Sequence, residues 1–81
     1  MRIIYKYPIE QVAEMPMGFK VLRVGMQNGT PCLWAEVPMQ GPLIRTRFKI
    51  YGTGQEISDG ASYIGGFSEG PFEWHVYEVP A

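Results

Sequence analysis

Three cations stand at every second position from residue 45 to residue 49, namely Arg45, Arg47 and Lys49, and Tyr51 is next in the series. Alternate side chains of an extended strand share one face, so the three charges line up about 7 Å apart, two residues of strand rise. Guanidinium and ammonium groups in a row, ending in an aromatic ring, make a seat for a phosphate-bearing ligand or for an acidic protein surface. The same alternation also generates an ordinary solvated face, and Lys or Arg on a strand blunts its edge against unwanted pairing. Directly after the row comes Gly52-Thr53-Gly54-Gln55. Backbone N–H groups of such a turn can cradle phosphate oxygens. The segment has neither the Lys-Ser/Thr of a P-loop nor a G-x-G-x-x-G spacing before a helix. A plain turn or bulge is therefore its simpler reading, and its place beside the cations is what ties it to them. The candidate ligand site is Arg45, Arg47, Lys49, Tyr51, Gly52, Thr53 and Gly54.

Catalytic constellations do not emerge. His75, the only histidine, sits between Trp74 and Val76. It has no second histidine and no nucleophile-elbow serine to work with, so a structural or surface role is expected. Cys32, in Pro31-Cys32-Leu33-Trp34, lies in an apolar strand pattern and is expected to be a small inert hydrophobe. The eight carboxylates are scattered from Glu10 to Glu78 with no metal-ligand spacing, and one Cys with one His builds no zinc site. The chain is accordingly expected to be a non-enzyme with no cofactor.

The elements that must position the cationic row are strands. Ten Gly and seven Pro in 81 residues leave few uninterrupted helical windows. The segments between these breaks are rich in Val, Ile, Tyr, Phe and Trp and have strand length. Arg2 to Tyr7 reads as a first strand ended by Pro8. Ile9 to Glu14 fits one helical turn or a short strand, and is taken as a short second strand. Met15-Pro16-Met17-Gly18 reads as a turn. Lys20 to Gln27 and Pro31 to Val37 flank Asn28-Gly29, the strongest short hairpin signal, because both residues tolerate positive φ. Leu22, Val24 and Met26 share a face of the first arm, and Leu33, Ala35 and Val37 one of the second. Cys32, Trp34 and Glu36 lie opposite, so a central hairpin covered on both sides is expected. Ile44 to Tyr51 alternates cleanly, with Ile44, Thr46, Phe48 and Ile50 set against the cationic row. Ser62 to Phe67 reads as a short strand interrupted at Gly65-Gly66 by a bulge, and Phe72 to Val79 as a last strand. Six or seven short strands with Gly/Pro turns predict an all-β antiparallel sandwich or partly open barrel in one domain, residues 1–81.

Composition narrows the function classes. At 46% hydrophobic and 19% charged, with net charge -1, the chain is not of the disordered kind. Seven Lys and Arg against eight Asp and Glu argue against general nucleic-acid binding. No apolar run approaches the ~20 residues of a membrane span, and the N-terminus lacks a signal-peptide pattern, so a soluble cytoplasmic protein is expected. Aromatics at 14% exceed what one small core can bury, which leaves some of them under loops or at an interface between copies.

Five blocks resemble a family of short uncharacterised proteins of phages, prophages and bacteria. They are Ile4-Tyr5-Lys6-Tyr7-Pro8-Ile9, Gln27-Asn28-Gly29-Thr30-Pro31-Cys32-Leu33-Trp34-Ala35, Phe48-Lys49-Ile50-Tyr51-Gly52-Thr53-Gly54, Tyr63-Ile64-Gly65 and His75-Val76-Tyr77-Glu78-Val79. The resemblance spans nearly the whole chain, and departs at Ser68-Glu69-Gly70-Pro71, where relatives are richer in Leu and His. It brings no catalytic residues. It implies a phage context, in which proteins of this size often bind stoichiometrically to host defence proteins or to their nucleotide signals. The expectation that follows is a homo-oligomeric anti-defence protein that sequesters a small anionic ligand, a signalling nucleotide, in the host cytoplasm. The alternative is a protein–protein module that inhibits or adapts a host or virion protein.

Overall fold

The computed structural model describes residues 1–80. Seven strands account for its regular structure: β1 (Arg2–Pro8), β2 (Val12–Pro16), β3 (Lys20–Gln27), β4 (Thr30–Pro38), β5 (Leu43–Gly52), β6 (Ser62–Glu69) and β7 (Phe72–Val79). They form two antiparallel sheets, one of three strands in the order β1-β4-β3 and one of four in the order β2-β5-β7-β6. The molecule is a sandwich rather than a closed barrel, 39 × 30 × 16 Å across its Cα atoms.

Turn chemistry sets the three-stranded sheet. Asn28 and Gly29 have φ of 52° and 79°, the two positive values a type I′ turn needs, and they bring Gln27 opposite Thr30. The pairing continues to Lys20 opposite Glu36, with one irregularity between Val21 and Arg23. The extra residue is Leu22, which is thrown outward and 45% exposed, so the inward pair is Val21 and Val24 rather than Leu22 and Val24. Leu33, Ala35 and Val37 do share the buried face of β4. The hairpin is not covered on both sides, however. β4 is central, β3 is an edge, and only one face meets the other sheet. The apolar residues on the uncovered face are shielded locally: the Arg23 guanidinium lies 5.1 Å over the Trp34 ring, and Lys6 Nζ reaches from β1 to donate to Gln27 Oε1 on β3, leaving Cys32 5% exposed.

The prolines end or flank strands without leaving ladder gaps. Ile9 N–H donates to Pro31 O and Met39 N–H to Met1 O, so the odd residues of β1 bond to β4. Pro8 therefore puts its missing N–H on the free edge. The second strand begins later than the sequence pattern suggests and absorbs Met15 and Pro16 from the expected turn. Ile9 to Gln11 instead crosses between the sheets, with Phe48 N–H donating to Gln11 O. What fixes the shift is Met15, fully buried in the core, together with its pairing opposite Ile44. Met17 N–H donates to Pro42 O, which leaves the Pro16 nitrogen on the outer edge as well.

One core joins the sheets: Met15, Val24, Leu33, Ala35, Val37, Phe48 and Val76, with Ile3, Tyr7, Ile50, Ile64 and Phe67 among the flanking residues. Burial pushes the Tyr7 phenol above its ordinary range, and the Tyr5 phenol beside it adds to the shift. β6 carries its own bulge, between Tyr63 and Gly65. There the edges of the two sheets meet most closely, because a Cβ built on Gly65 would stand 2.7 Å from Val24 Cγ2. Gly65→Ala is expected to cost roughly 1–3 kcal/mol as overpacking, measured by urea denaturation. If the contact is the cause, Val24→Ala in the same chain offsets part of that loss, giving a double mutant milder than the sum of the two singles. Strict additivity would place the cause elsewhere.

Candidate functional site

The register of the four-stranded sheet assembles the cationic row and its neighbours on the sheet's outer face. Thr46 and Phe48 are buried inward, so alternation turns Arg45, Arg47 and Lys49 outward as the sequence predicts. Cross-strand pairing then places Glu14 opposite Arg45, Val12 and Val79 on either side of Arg47, Tyr77 opposite Lys49 and His75 opposite Tyr51. Among the described residues the one ion pair is Arg2–Glu36 on the other sheet, so the three cations carry no carboxylate partner.

Two depressions flank the row. One, of about 410 Å³, is lined by Arg47 and Lys49 with Ile9, Glu10, Gln11, Ile50 and Val79. It lies where β2 has ended and the edge of β5 beyond Arg47 has no strand beside it. The second, about 200 Å³, is lined by Arg45 and Arg47 with Gly60, Ser62, Glu78 and Pro80. Arg47 thus belongs to both, and its Nε is buried with no hydrogen-bond partner. A buried guanidinium nitrogen left unpaired is costly, and the cost falls on the one cation that both depressions share.

Tyr51 behaves differently from its row. It is 2% exposed, its ring meets Tyr77 edge-on at 5.4 Å, and Lys49 Nζ lies 4.9 Å over it. Topology supplies the cover. β5 and β6 both run antiparallel to β7 and so parallel to each other, which sends residues 53–61 back along the outer side of β7. Thr53 Oγ1 stands 3.4 Å from His75 Nε2 at one end of this crossover, and Gly60 abuts Pro80 at the other. Tyr51 therefore offers no face for stacking. Tyr63, edge-to-face with the half-buried Tyr77 at 5.4 Å and 61% exposed, holds the accessible ring surface. Both count among the aromatics in excess of what the core can bury, but only the β6–β7 register brings them beside the row.

Gly52, Thr53 and Gly54 lie about 10 Å or more beyond Lys49 along the strand direction, at the far end from Arg45. Gly52 N–H donates to the Gln55 side chain and Gln55 N–H to Gly52 O, so this turn spends its amide on itself. The inner side of Gly52 faces Trp74, where a Cβ would come within 3.2 Å of the indole. Arg45, Arg47 and Lys49 are thus brought together, while the Gly52–Gly54 turn sits at the aromatic end with His75. Cys32 lies on the other sheet, remote from His75. The described residues hold no cluster of three or more His, Cys, Asp or Glu suited to a metal ion.

A family model described as Domain of unknown function (DUF7352) matches residues 1–81. No curated protein and no solved structure matches the chain.

The Tyr51 hydroxyl is buried and has no hydrogen-bond partner. Tyr51→Phe keeps the ring and removes an unsatisfied polar atom, so stability is expected to hold or rise by up to about 1 kcal/mol in urea denaturation. A loss larger than about 1 kcal/mol would mean that the hydroxyl is satisfied in solution by a group such as an ordered water.

Proposed function

We propose, from the premise that the chain belongs to the family described as Domain of unknown function (DUF7352), that this protein is a non-enzymatic binder of a small anionic ligand of the nucleotide class. The observation that carries the reading is Arg47. It is shared by two depressions, has a buried unpaired Nε, and stands between Arg45 and Lys49, neither of which has a carboxylate partner. Phosphates seat along Arg45, Arg47 and Lys49, each bond to a cation being charge-assisted. A base packs on the exposed Tyr63 ring, held edge-to-face by Tyr77, the role that the covered Tyr51 cannot take. Binding without turnover amounts to sequestration, and in a phage setting the ligand is a nucleotide immune signal of the host cytoplasm.

Both depressions are open to solvent, and an 81-residue sandwich does not enclose a nucleotide in either of them alone. A second copy of the chain closing over the row is the economical way to desolvate the phosphates. No helix among the described residues is long and apolar enough to cross a membrane. A second reading, a module that docks on a host or virion protein, is favoured by a different feature. Ile4 and Tyr5 are both more than half exposed on β1, whose outer edge has no strand beside it.

Native mass spectrometry of the protein from a bacterial host, followed by calorimetric titration with a cyclic dinucleotide and with ADP, tests the first reading. Arg45→Ala with Arg47→Ala is expected to weaken nucleotide binding by at least about tenfold. The melting temperature should shift by less than about 4 °C, because both side chains point outward. Unchanged affinity in the double variant would overturn the assignment of the row.

A further inference from the structure

The sandwich segregates charge between its sheets in a way that the near-zero total conceals. Arg2, Lys6, Lys20 and Arg23 lie on the three-stranded sheet, and Glu36 is the only acidic residue there. The other seven acidic residues all belong to the four-stranded sheet and to the links around it, with Arg45, Arg47 and Lys49. One sheet therefore carries a net charge of +3 and the remainder of the molecule −4, four cations against one acid and three against seven. All four cations of the three-stranded sheet are on its outer face, since the odd positions of β1 and residues Leu33, Ala35 and Val37 of β4 point inward. Among the described residues no strand packs on this face, and the crossover 53–61 returns over β7 of the other sheet.

Register gives the basic face an aromatic centre. Lys6 and Arg23 are the cross-strand neighbours of Trp34 on its two sides, so one transverse row reads Lys6, Trp34, Arg23 across β1, β4 and β3. The guanidinium of Arg23 lies 5.1 Å over the indole. Gly25 beside it is buried beneath the pair, since a Cβ there would stand 3.6 Å from Arg23 Nη2 and 3.9 Å from the Trp34 ring, so the guanidinium lies flat along the strand and keeps its outer side to solvent. Lys20 stands one row further on, opposite Glu36, whose carboxylate is already engaged by Arg2. Lys6, Lys20 and Arg23 thus have no carboxylate partner among the described residues.

We propose that the outer face of the three-stranded sheet, centred on Lys6, Trp34 and Arg23, is a binding platform for single-stranded nucleic acid. Cations flanking an aromatic ring on an open sheet match the chemistry of that ligand, in which phosphates alternate with flat bases. Phosphates pair with Lys6, Lys20 and Arg23, and a base stacks on the Trp34 ring or on the guanidinium plane above it. An acidic peptide would use the three cations and leave the indole without a role. This site is separate from the β5 row, on the opposite side of the core, and does not depend on it.

The test is titration of the full chain with a fluorescently labelled oligothymidylate of about 20 nucleotides at 50 mM salt, read by anisotropy. In a Trp74→Phe variant the indole emission reports Trp34 alone. Binding with a dissociation constant between about 10⁻⁴ and 10⁻⁶ M is expected, weakening roughly twentyfold at 200 mM salt, as three phosphate contacts on a single strand require. Quenching of the Trp34 emission should follow the anisotropy. Lys6→Gln, Lys20→Gln and Arg23→Gln together should abolish both signals. The proposal is overturned if poly-glutamate binds as tightly and quenches equally, or if no binding occurs at 50 mM salt. It is equally overturned if Arg45→Gln with Arg47→Gln removes the binding while the triple variant keeps it.

Discussion

A single layer of side chains holds this protein together, and most of its other features follow from that. Two sheets stacked about 10 Å apart leave room between them for one interdigitated set of residues. Here that set is Met15, Val24, Leu33, Ala35, Val37, Phe48 and Val76. With the centre of the layer filled by these side chains, there is no interior left for a polar pocket. Recognition chemistry is pushed to the outer faces and to the places where strands stop short. The layer also dictates where the sheets can approach each other. At the β3–β6 seam the residue facing Val24 has to be glycine, and the bulge that precedes Gly65 sets it there. A methyl group at that point would wedge apart the edges that the rest of the layer draws together.

The same economy explains why Tyr51 is buried although its strand turns it outward. An order of β2-β5-β7-β6 obliges the chain to return over β7 before β6 can begin. A crossover of nine residues without regular structure would be loosely held if it lay on a bare polar surface. Tyr51 and Tyr77 give it something apolar to cover, and Thr53 beside His75 anchors its start. The outer face of β5 therefore divides into two regimes. Its first half, Arg45 to Lys49, remains open to ligands, while its last residues work as a small second core. A stretch that is uniform as a pattern of alternation serves two purposes in the fold.

This division marks where sequence reasoning succeeds and where it stops. The Asn28-Gly29 hairpin and the alternation of β5 and β7 are legible because each depends on neighbours in the chain: two residues that accept positive φ, or a period of two. The limits of β2 are not legible, since Ile9 to Pro16 takes its register from β5, some thirty residues away, and not from its own pattern. The bulge at Leu22 escapes for the same reason, whereas the one before Gly65 is signalled by the Gly65-Gly66 pair, and each reverses the face of the residues on one side of it. For the candidate site, the cations Arg45, Arg47 and Lys49 are read directly from spacing. Tyr77, Tyr63 and the double membership of Arg47 are not, because they arise from strands brought alongside by pairing. Tyr51 shows the converse error of treating a shared face as shared exposure.

Charge follows the same logic at the scale of the whole molecule. A total of -1 describes a chain, whereas a ligand meets a surface. Lys6, Lys20 and Arg23 come from two strands and converge only because β4 lies between β1 and β3, carrying Trp34 into their midst. The acidic residues that balance them in the sum are elsewhere, on the four-stranded sheet and its links, beyond the apolar layer. At separations set by that layer, exposed charges are largely screened from one another at physiological ionic strength. Each basic array thus acts with its local charge and not with the average of the molecule. A sandwich this thin presents two different basic surfaces, a notched one along β5 and a flat one around Trp34, with little energetic communication between them. The notches suit a compact ligand that can fill a depression, and the flat face suits an extended one that can lie across three strands.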